Sequence, residues 1–306
     1  MNLNPSEKIL ITGASGFIGG RLARSMAGDG YCVRASVRNP AASGEIDGAE
    51  VVGLDLGGDD GQLDRALEGI DVAYFLIHMM GRSDDYAREE AEAAARFAAR
   101  AKLAGVSRVV YLGGLGDPAV SSHLQSRHET ALALEREGPA LTYFRAAMVI
   151  GSASESYVLL RSIVDRLVAI PSSHWLDNRS QPIGIRDLLA YLRATPATQG
   201  TGGREIQVGG PEVLSHRETV DELARQLGRR PPRRLPIPGI TPGVIAAAAT
   251  AVTKGDAPVA RELVYGLATD TVVEDGSGMD LFEIEPEQVS VAFQRAIEEE
   301  ERMGRR

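Results

Sequence analysis

Thr12-Gly13-Ala14-Ser15-Gly16-Phe17-Ile18-Gly19 stands between a short apolar run, Ile9-Leu10-Ile11, and a segment of helical character, Arg21-Leu22-Ala23-Arg24-Ser25-Met26-Ala27. The run reads as a buried strand, and the eight residues as the Gly-rich turn that carries it into a helix. Such a turn aims free backbone N–H groups, and the positive end of the helix, at a pyrophosphate. Gly13 permits the tight turn, Gly16 lets the backbone approach the phosphates, and Gly19 lets the helix sit close to the strand. Thr12, Gly13, Ser15, Gly16, Phe17, Ile18 and Gly19 are therefore the expected contacts of a dinucleotide.

Outward from this turn strands alternate with helices, which predicts an α/β fold with a doubly wound parallel Rossmann sheet. Tyr31–Val37 reads as strand two, Val51–Leu54 as strand three, Val72–Ile77 as strand four, Val109–Leu112 as strand five and 141–145 as strand six. Helices are expected over 63–67, 84–104 and 122–137, the long one stopped by Gly105. Beyond Gly151 the rhythm loosens. A nucleotide-binding domain, 1–150, is expected to give way there to a smaller C-terminal substrate lobe, 151–306. In that lobe 157–168 reads as helix, Pro182–Ile185 as strand and Arg186–Ala194 as helix, with segment 181–194 returning to the first domain. Ser215, with Glu218 three residues on, is a capping box opening a helix that ends at Gly228. Arg229-Arg230-Pro231-Pro232-Arg233-Arg234 reads as an exposed, solvated linker rather than an anion-binding patch.

The 306 residues are 43% hydrophobic and 25% charged, the balance of a soluble globular protein with a substantial core. A net charge of −9 argues against a nucleic-acid partner held by bulk charge. The single cysteine, Cys32, excludes an internal disulfide and any cysteine-based metal cluster. Its place in an apolar strand predicts a buried structural thiol. His174 and His216 have no partner at ligand spacing, so no metal site is expected. No basic-then-apolar leader precedes the first strand. The longest apolar stretch, around Val244–Val252, falls short of the ~20 residues that span a bilayer. A cytoplasmic protein with a small-molecule substrate is the expectation.

The end of strand two discriminates between the nicotinamide cofactors. A carboxylate there binds the ribose hydroxyls and repels a 2′-phosphate. This chain carries Val37 and Arg38, with Ser36 beside them and no acid. An arginine makes a charge-assisted contact to a phosphate, so NADP(H) is predicted in preference to NAD(H). Asp55-Leu56 after strand three either flank the adenine, Asp55 accepting from the exocyclic amine, or Asp55 caps the next helix.

Together these stretches resemble the short-chain dehydrogenase/reductase superfamily in its extended and atypical branches, which use the TGxxGxxG form of Thr12–Gly19. Asp71–His78 is similar to their fourth strand, Phe144–Gly151 to their sixth, Gln181–Leu188 to the segment returning from the substrate lobe, and Val208–Ser215 to the turn opening a C-terminal helix. The likeness points to the epimerase-like and NmrA-like members, a group related to the reductase-like accessory subunit of respiratory complex I. It implies cofactor contacts at Ile77, His78 and Gly113, and a homodimer, a state common among relatives. Ser152 and Ser154 fall where relatives meet the nicotinamide amide; they contact it or line a loop.

The resemblance also implies a Tyr-x-x-x-Lys pair on the helix after strand five, with a serine at the end of that strand. This chain has Gly113-Gly114 where the serine belongs, and His123-Leu124-Gln125-Ser126-Arg127 on the helix. The i, i+4 spacing puts His123 and Arg127 on one face. Arg127 is suited to the ribose hydroxyls, and His123 to proton transfer near neutral pH. An adjacent arginine, however, pushes a histidine toward its neutral form, a weak acid for reduction. His78 is either a satisfied structural histidine or a second catalytic one. Asp117 is read as turn chemistry. The expectation is an NADP(H)-dependent oxidoreductase moving hydride to or from a small apolar carbonyl or quinone-like substrate, with epimerase chemistry as a variant. The alternative is a non-catalytic NADP(H)-binding redox sensor or assembly factor.

Overall fold

The computed structural model describes residues 7–79, 85–172, 174–236, 242–253 and 257–304. The first half is a strict alternation. β1 (Lys8–Ile11) leads to α1 (Phe17–Gly28), β2 (Cys32–Val37), a single turn α2 (Pro40–Ser43), β3 (Ala49–Gly53) and α3 (Asp60–Leu67). β4 (Val72–Phe75), α4 (Tyr86–Leu103), β5 (Arg108–Gly114), α5 (Ser122–Glu137) and β6 (Ala140–Ala146) follow. The expected start of the long helix, Asp84, lies outside the described residues. β4 stops at Phe75, two residues short of expectation, because the Leu76 N–H leaves the ladder for the Thr12 hydroxyl, 3.0 Å away.

The second half begins with β7 (Val149–Ile150), α6 (Glu155–Arg166), β8 (Ala169–Ser172), β9 (Arg179–Ser180) and β10 (Ile183–Gly184). It continues with α7 (Ile185–Ala194), β11 (Arg204–Val208), β12 (Leu214–Ser215), α8 (His216–Gln226) and β13 (Arg233–Pro236). α9 (Pro242–Val252), α10 (Ala257–Gly266) and α11 (Val289–Gly304) close the chain.

Seven strands form one parallel sheet in the order β11-β6-β5-β4-β1-β2-β3. The order reverses between β1 and β4, the crevice where sheets of this kind take a nucleotide. Strands buried on both faces must be apolar throughout, as in Ile9-Leu10-Ile11 and Val72-Ala73-Tyr74-Phe75, all 3% exposed or less. α1 and α7 cover one face, with Leu22, Met26, Leu188 and Leu192 in its core. α3, α4 and α5 cover the other through Leu63, Phe97 and Leu134. Two smaller cores hold the second lobe. Tyr157 of α6, Leu223 of α8 and Phe293 of α11 make one; Leu159 of α6, Ala246 of α9 and Val264 of α10 make the other.

Two expectations are corrected. Cys32 is exposed, because it opens β2 at the strand mouth while its neighbours Tyr31 and Val33 turn into the core. The basic stretch 229–234 is exposed at Arg229, Arg230, Pro231 and Arg233, as expected, but it is anchored rather than a free linker. Its last residues enter β13, paired in parallel with β8, Arg229 bonds Asp165 at 2.9 Å and Arg234 bonds Asp221. Two carboxylates placed by neighbouring helices hold the segment down. The Ala-rich stretch 244–252 is α9, and among the described residues no helix is long and apolar enough to cross a membrane.

Candidate functional site

The Gly-rich turn is tied to the strands on both sides of it. Thr12 N–H donates to the Tyr74 carbonyl at 2.9 Å, and Ala14 N–H to the Ser36 carbonyl at 3.0 Å. Gly13 has φ +68°, and a Cβ there would stand 2.8 Å from the Leu76 carbonyl oxygen. A Cβ on Gly19 would stand 2.4 Å from the Gly13 carbonyl oxygen, so α1 reaches its position only with glycine there. Gly16 caps α1 without a side-chain hydrogen bond, and the first turn holds no acid. The N–H groups of that turn are thus left for an anion, which is what a pyrophosphate requires.

Ser15 and Gly16 are exposed at the mouth of the turn. Phe17 lies under the Arg21 guanidinium, 4.1 Å from ring centre to carbon, and Ile18 faces the cavity described below. Arg38 is exposed just past β2. Asp55 is exposed past β3 and accepts from Gly57 N–H at 3.1 Å, while Asp59 is the residue that caps α3. Leu56 is buried in the core beneath it. Ile77 and His78 continue from β4, half-buried.

The second group gathers across β4, α4 and α5. Glu90 of α4 is fully buried; its Oε2 lies 2.9 Å from His78 Nδ1 and accepts from Met79 N–H at 2.8 Å. The Thr130 hydroxyl reaches its other oxygen at 3.4 Å. Burial opposes the Glu90 charge, but the His78 bond, the Arg127 charge and the Met79 N–H together hold its pKa below the ordinary carboxylate value. Burial and then Arg127 lower the His78 pKa, against the pull of Glu90. His123 and Arg127 do share one face of α5, as their spacing predicts. Arg127 Nη1 donates to the Leu112 carbonyl at 3.3 Å, and its charge survives burial because Tyr111 and Glu90 favour it. Burial, then Arg127, push His123 down to about 3. The His78 and His123 rings lie 5.4 Å apart, centre to centre. His78 Nε2 and His123 Nδ1 are both buried without a hydrogen-bond partner among the described residues.

Glu90 is absent from the sequence-based list. It falls on the buried stripe of α4, with Ala94, Phe97 and Ala101, and an acid on an apolar stripe was the available signal. Gly113 and Gly114 are glycines for steric reasons: a Cβ would meet the Tyr143 ring at 2.8 Å and the Leu124 side chain at 2.7 Å. The two serines past β7 are already engaged. Ser152 donates to Glu299 at 2.8 Å; Ser154 caps α6 and donates to the Val149 carbonyl at 2.7 Å. Asp117 accepts from Ala119 N–H at 2.8 Å, a turn contact.

His123 and Arg127 open onto a cavity of about 340 Å³. Its walls are apolar, drawn from Leu159 and Ile163 of α6, Trp175, Ile245 of α9, and Leu263 of α10, and Gly113 and Ile18 border it as well. His216, at the start of α8, also lines it; burial lowers that ring's pKa to about 4. The site thus joins an anion-ready turn, a cluster of histidines with a buried acid, and a greasy pocket.

The NmrA-like family model matches residues 5–160. The chain is 30% identical over 225 residues to the (4-alkanoyl-5-oxo-2,5-dihydrofuran-3-yl)methyl phosphate reductase of Streptomyces griseus, covering 72% of this chain and 74% of the relative. It is 28% identical over 272 residues to the ceramide reductase of Caulobacter vibrioides, covering 84% of each. Among solved structures it resembles an NADPH-dependent quinone oxidoreductase from Escherichia coli, with a TM-score of 0.73, 19% identity, and coverage of 94% of this chain and 99% of that one. By the family match, which spans half of its residues, this chain belongs to the NmrA-like family.

Proposed function

We propose that the protein is an NADP(H)-dependent reductase acting on a carbonyl borne by an apolar, chain-like substrate. The observation that carries this is the position of His123 and Arg127 at the head of an apolar cavity that also reaches the end of β5 and Ile18, beside the Gly-rich turn. The relatives' names support it, one built around an alkanoyl group and the other around a lipid. The E. coli neighbour is named for NADPH, and this chain has Arg38 and no acid at the end of β2. In this arrangement residues 1–150, joined by 181–194, hold the nucleotide, and residues of 151–306 complete a pocket whose other wall carries Ile18, Gly113, His123 and Arg127.

When bound, NADPH supplies the hydride. Thr12–Gly19 hold its pyrophosphate, and Arg38 its 2′-phosphate. Arg127, charged at any working pH, lies beside the reacting oxygen or the nicotinamide ribose and favours negative charge there. His123 faces the substrate oxygen, and Leu159, Ile163 and Trp175 exclude water around the chain.

The depressed His123 favours a second reading, a redox sensor without turnover, since a ring with a pKa of about 3 is not itself an acid at pH 7. Stopped-flow oxidation of NADPH with medium- and long-chain ketones, alongside calorimetric titration of NADP⁺ and NADPH, separates the two. Turnover with similar affinities is expected. No turnover, with affinities at least tenfold apart, points to the sensor, because only unequal binding shifts a population. Arg127→Ala is expected to weaken NADPH binding or cut kcat by about 100-fold; if neither moves, Arg127 has no part in the site.

A further inference from the structure

A buried histidine nitrogen without a partner is costly, because it has lost its water and gained nothing in exchange. Here two such atoms, His78 Nε2 and His123 Nδ1, neither with a partner among the described residues, belong to neighbouring rings. A ring-nitrogen to ring-nitrogen hydrogen bond of about 3 Å places imidazole centres roughly 5 Å apart. The observed centre-to-centre distance of 5.4 Å is of that order, although the two nitrogens are not hydrogen-bonded to each other in the structure. Beyond His78 the path is already formed, since its Nδ1 contacts Glu90, and Glu90 is fixed by Met79 N–H and Thr130. In front of it, His123 lines the cavity.

We infer that Glu90, His78 and His123 form one proton relay, in which Glu90 orients His78 and His78 feeds the proton that His123 hands to the substrate. The chemistry rests on the reductase proposal; the geometry does not.

The relay answers a difficulty at His123, which beside Arg127 does not hold a charge of its own. A neutral ring still conducts a proton by taking it on one nitrogen while releasing it from the other. The charge resides on His78, the ring in contact with the carboxylate. In the loaded state His78 is protonated on both nitrogens, Nδ1–H toward Glu90 and Nε2–H toward His123 Nδ1, and His123 carries Nε2–H toward the cavity. The carbonyl carbon gains a hydride with its electron pair, and the C=O π pair moves to oxygen. That oxygen takes the His123 Nε2 proton as the His78 Nε2 proton passes to His123 Nδ1. The product is the alcohol, both rings end neutral, Glu90 stays ionised, and solvent returns one proton. In the unloaded state His78 carries Nδ1–H and accepts at Nε2, so His123 must be the Nδ1–H tautomer, the opposite of the form an isolated imidazole favours.

The charged groups acting on the two rings are Glu90 of α4 and Arg127 of α5; Tyr86 and Tyr111 act in turn on that pair, with Glu262 of α10 acting on Tyr86. Arg127 and burial lower the pKa of His78 and Glu90 raises it. Reduction therefore falls about tenfold per pH unit above a pKa lying below the ordinary 6.5. Replacing Glu90 by Gln removes the favourable charge and moves that falling limb to lower pH.

The decisive measurement is long-range ¹H–¹⁵N NMR of the histidine rings in the wild-type protein, together with the pH profile of kcat for wild type and Glu90→Gln. The expected result is an Nδ1–H tautomer at both His78 and His123, and a Glu90→Gln limb shifted to lower pH with kcat at pH 7 reduced about 100-fold. An Nε2–H tautomer at His123 at a pH above that limb, where His78 is neutral, overturns the relay, as does a Glu90→Gln profile whose limb stays in place. If Glu90→Gln does not fold, the wild-type tautomers decide. If the wild-type protein shows the tautomers but reduces no carbonyl, the reductase proposal fails and the relay geometry stands.

Discussion

At the scale of single residues, the informative positions are those where a side chain is missing or misplaced by ordinary rules. Gly113 and Gly114 stand where the family resemblance implies a serine, and an added Cβ would meet Tyr143 and Leu124 there. Gly113→Ser is therefore expected not to restore a polarising hydroxyl. It should destabilise the protein by about 1–3 kcal/mol through overpacking, read as a lower urea midpoint, and should not raise kcat. The Thr12–Gly19 turn and the His123–Arg127 pair were legible because each depends on local spacing. The Glu90–His78 contact was not, since it joins residues twelve apart through the packing of α4 against the end of β4. A sequence shows which residues share a helix face; which neighbour that face meets is settled by tertiary packing.

At the scale of elements, inner strands such as β1 and β4 were legible because strands covered on both sides are continuously apolar, and the edge strand β3 through its short Val51-Val52 run. β11, Arg204-Glu205-Ile206-Gln207-Val208, was missed. As an edge strand it alternates polar with apolar, and its partner β6 lies some sixty residues earlier in the chain. α9, which walls the cavity, was read only as an Ala/Val-rich stretch, because periodicity is blurred when nearly every residue is small and apolar, and α10 was not read at all. The box opening α8 was read correctly: Ser215 and Glu218 satisfy each other's backbone N–H groups. Ser215→Ala should cost about 1 kcal/mol, a fall of roughly 2 °C in Tm by calorimetry, with the Arg217–Asp177 ion pair untouched.

At the scale of the whole molecule, burial of neutral histidines sets the response to acid. His216 titrates at about 4 and His123 at about 3 in the folded protein, both with burial as the main cause, against 6.5 when unfolded. Because the folded pKa values are depressed, the unfolded chain binds more protons below pH 6.5. Stability from these rings is complete above pH 6.5 and is lost as pH falls toward 4, by several kcal/mol in total on an order-of-magnitude basis. Tm followed from pH 7 to 4.5 should drop steeply. His216→Phe should flatten the drop, and an unchanged slope would show that the ring is not buried neutral.

The order of the central sheet bears on how the molecule is made. Its outermost strand, β11, ends at Val208, long after β6 has closed at Ala146. A ribosome that has finished the first six strands has therefore exposed β6 as a raw edge of unpaired amides, and sixty more residues must emerge before it is covered. During that interval the nascent chain depends on chaperones or on speed. The nucleotide-binding half, contiguous in appearance, becomes a finished sheet only when much of the second half has been translated.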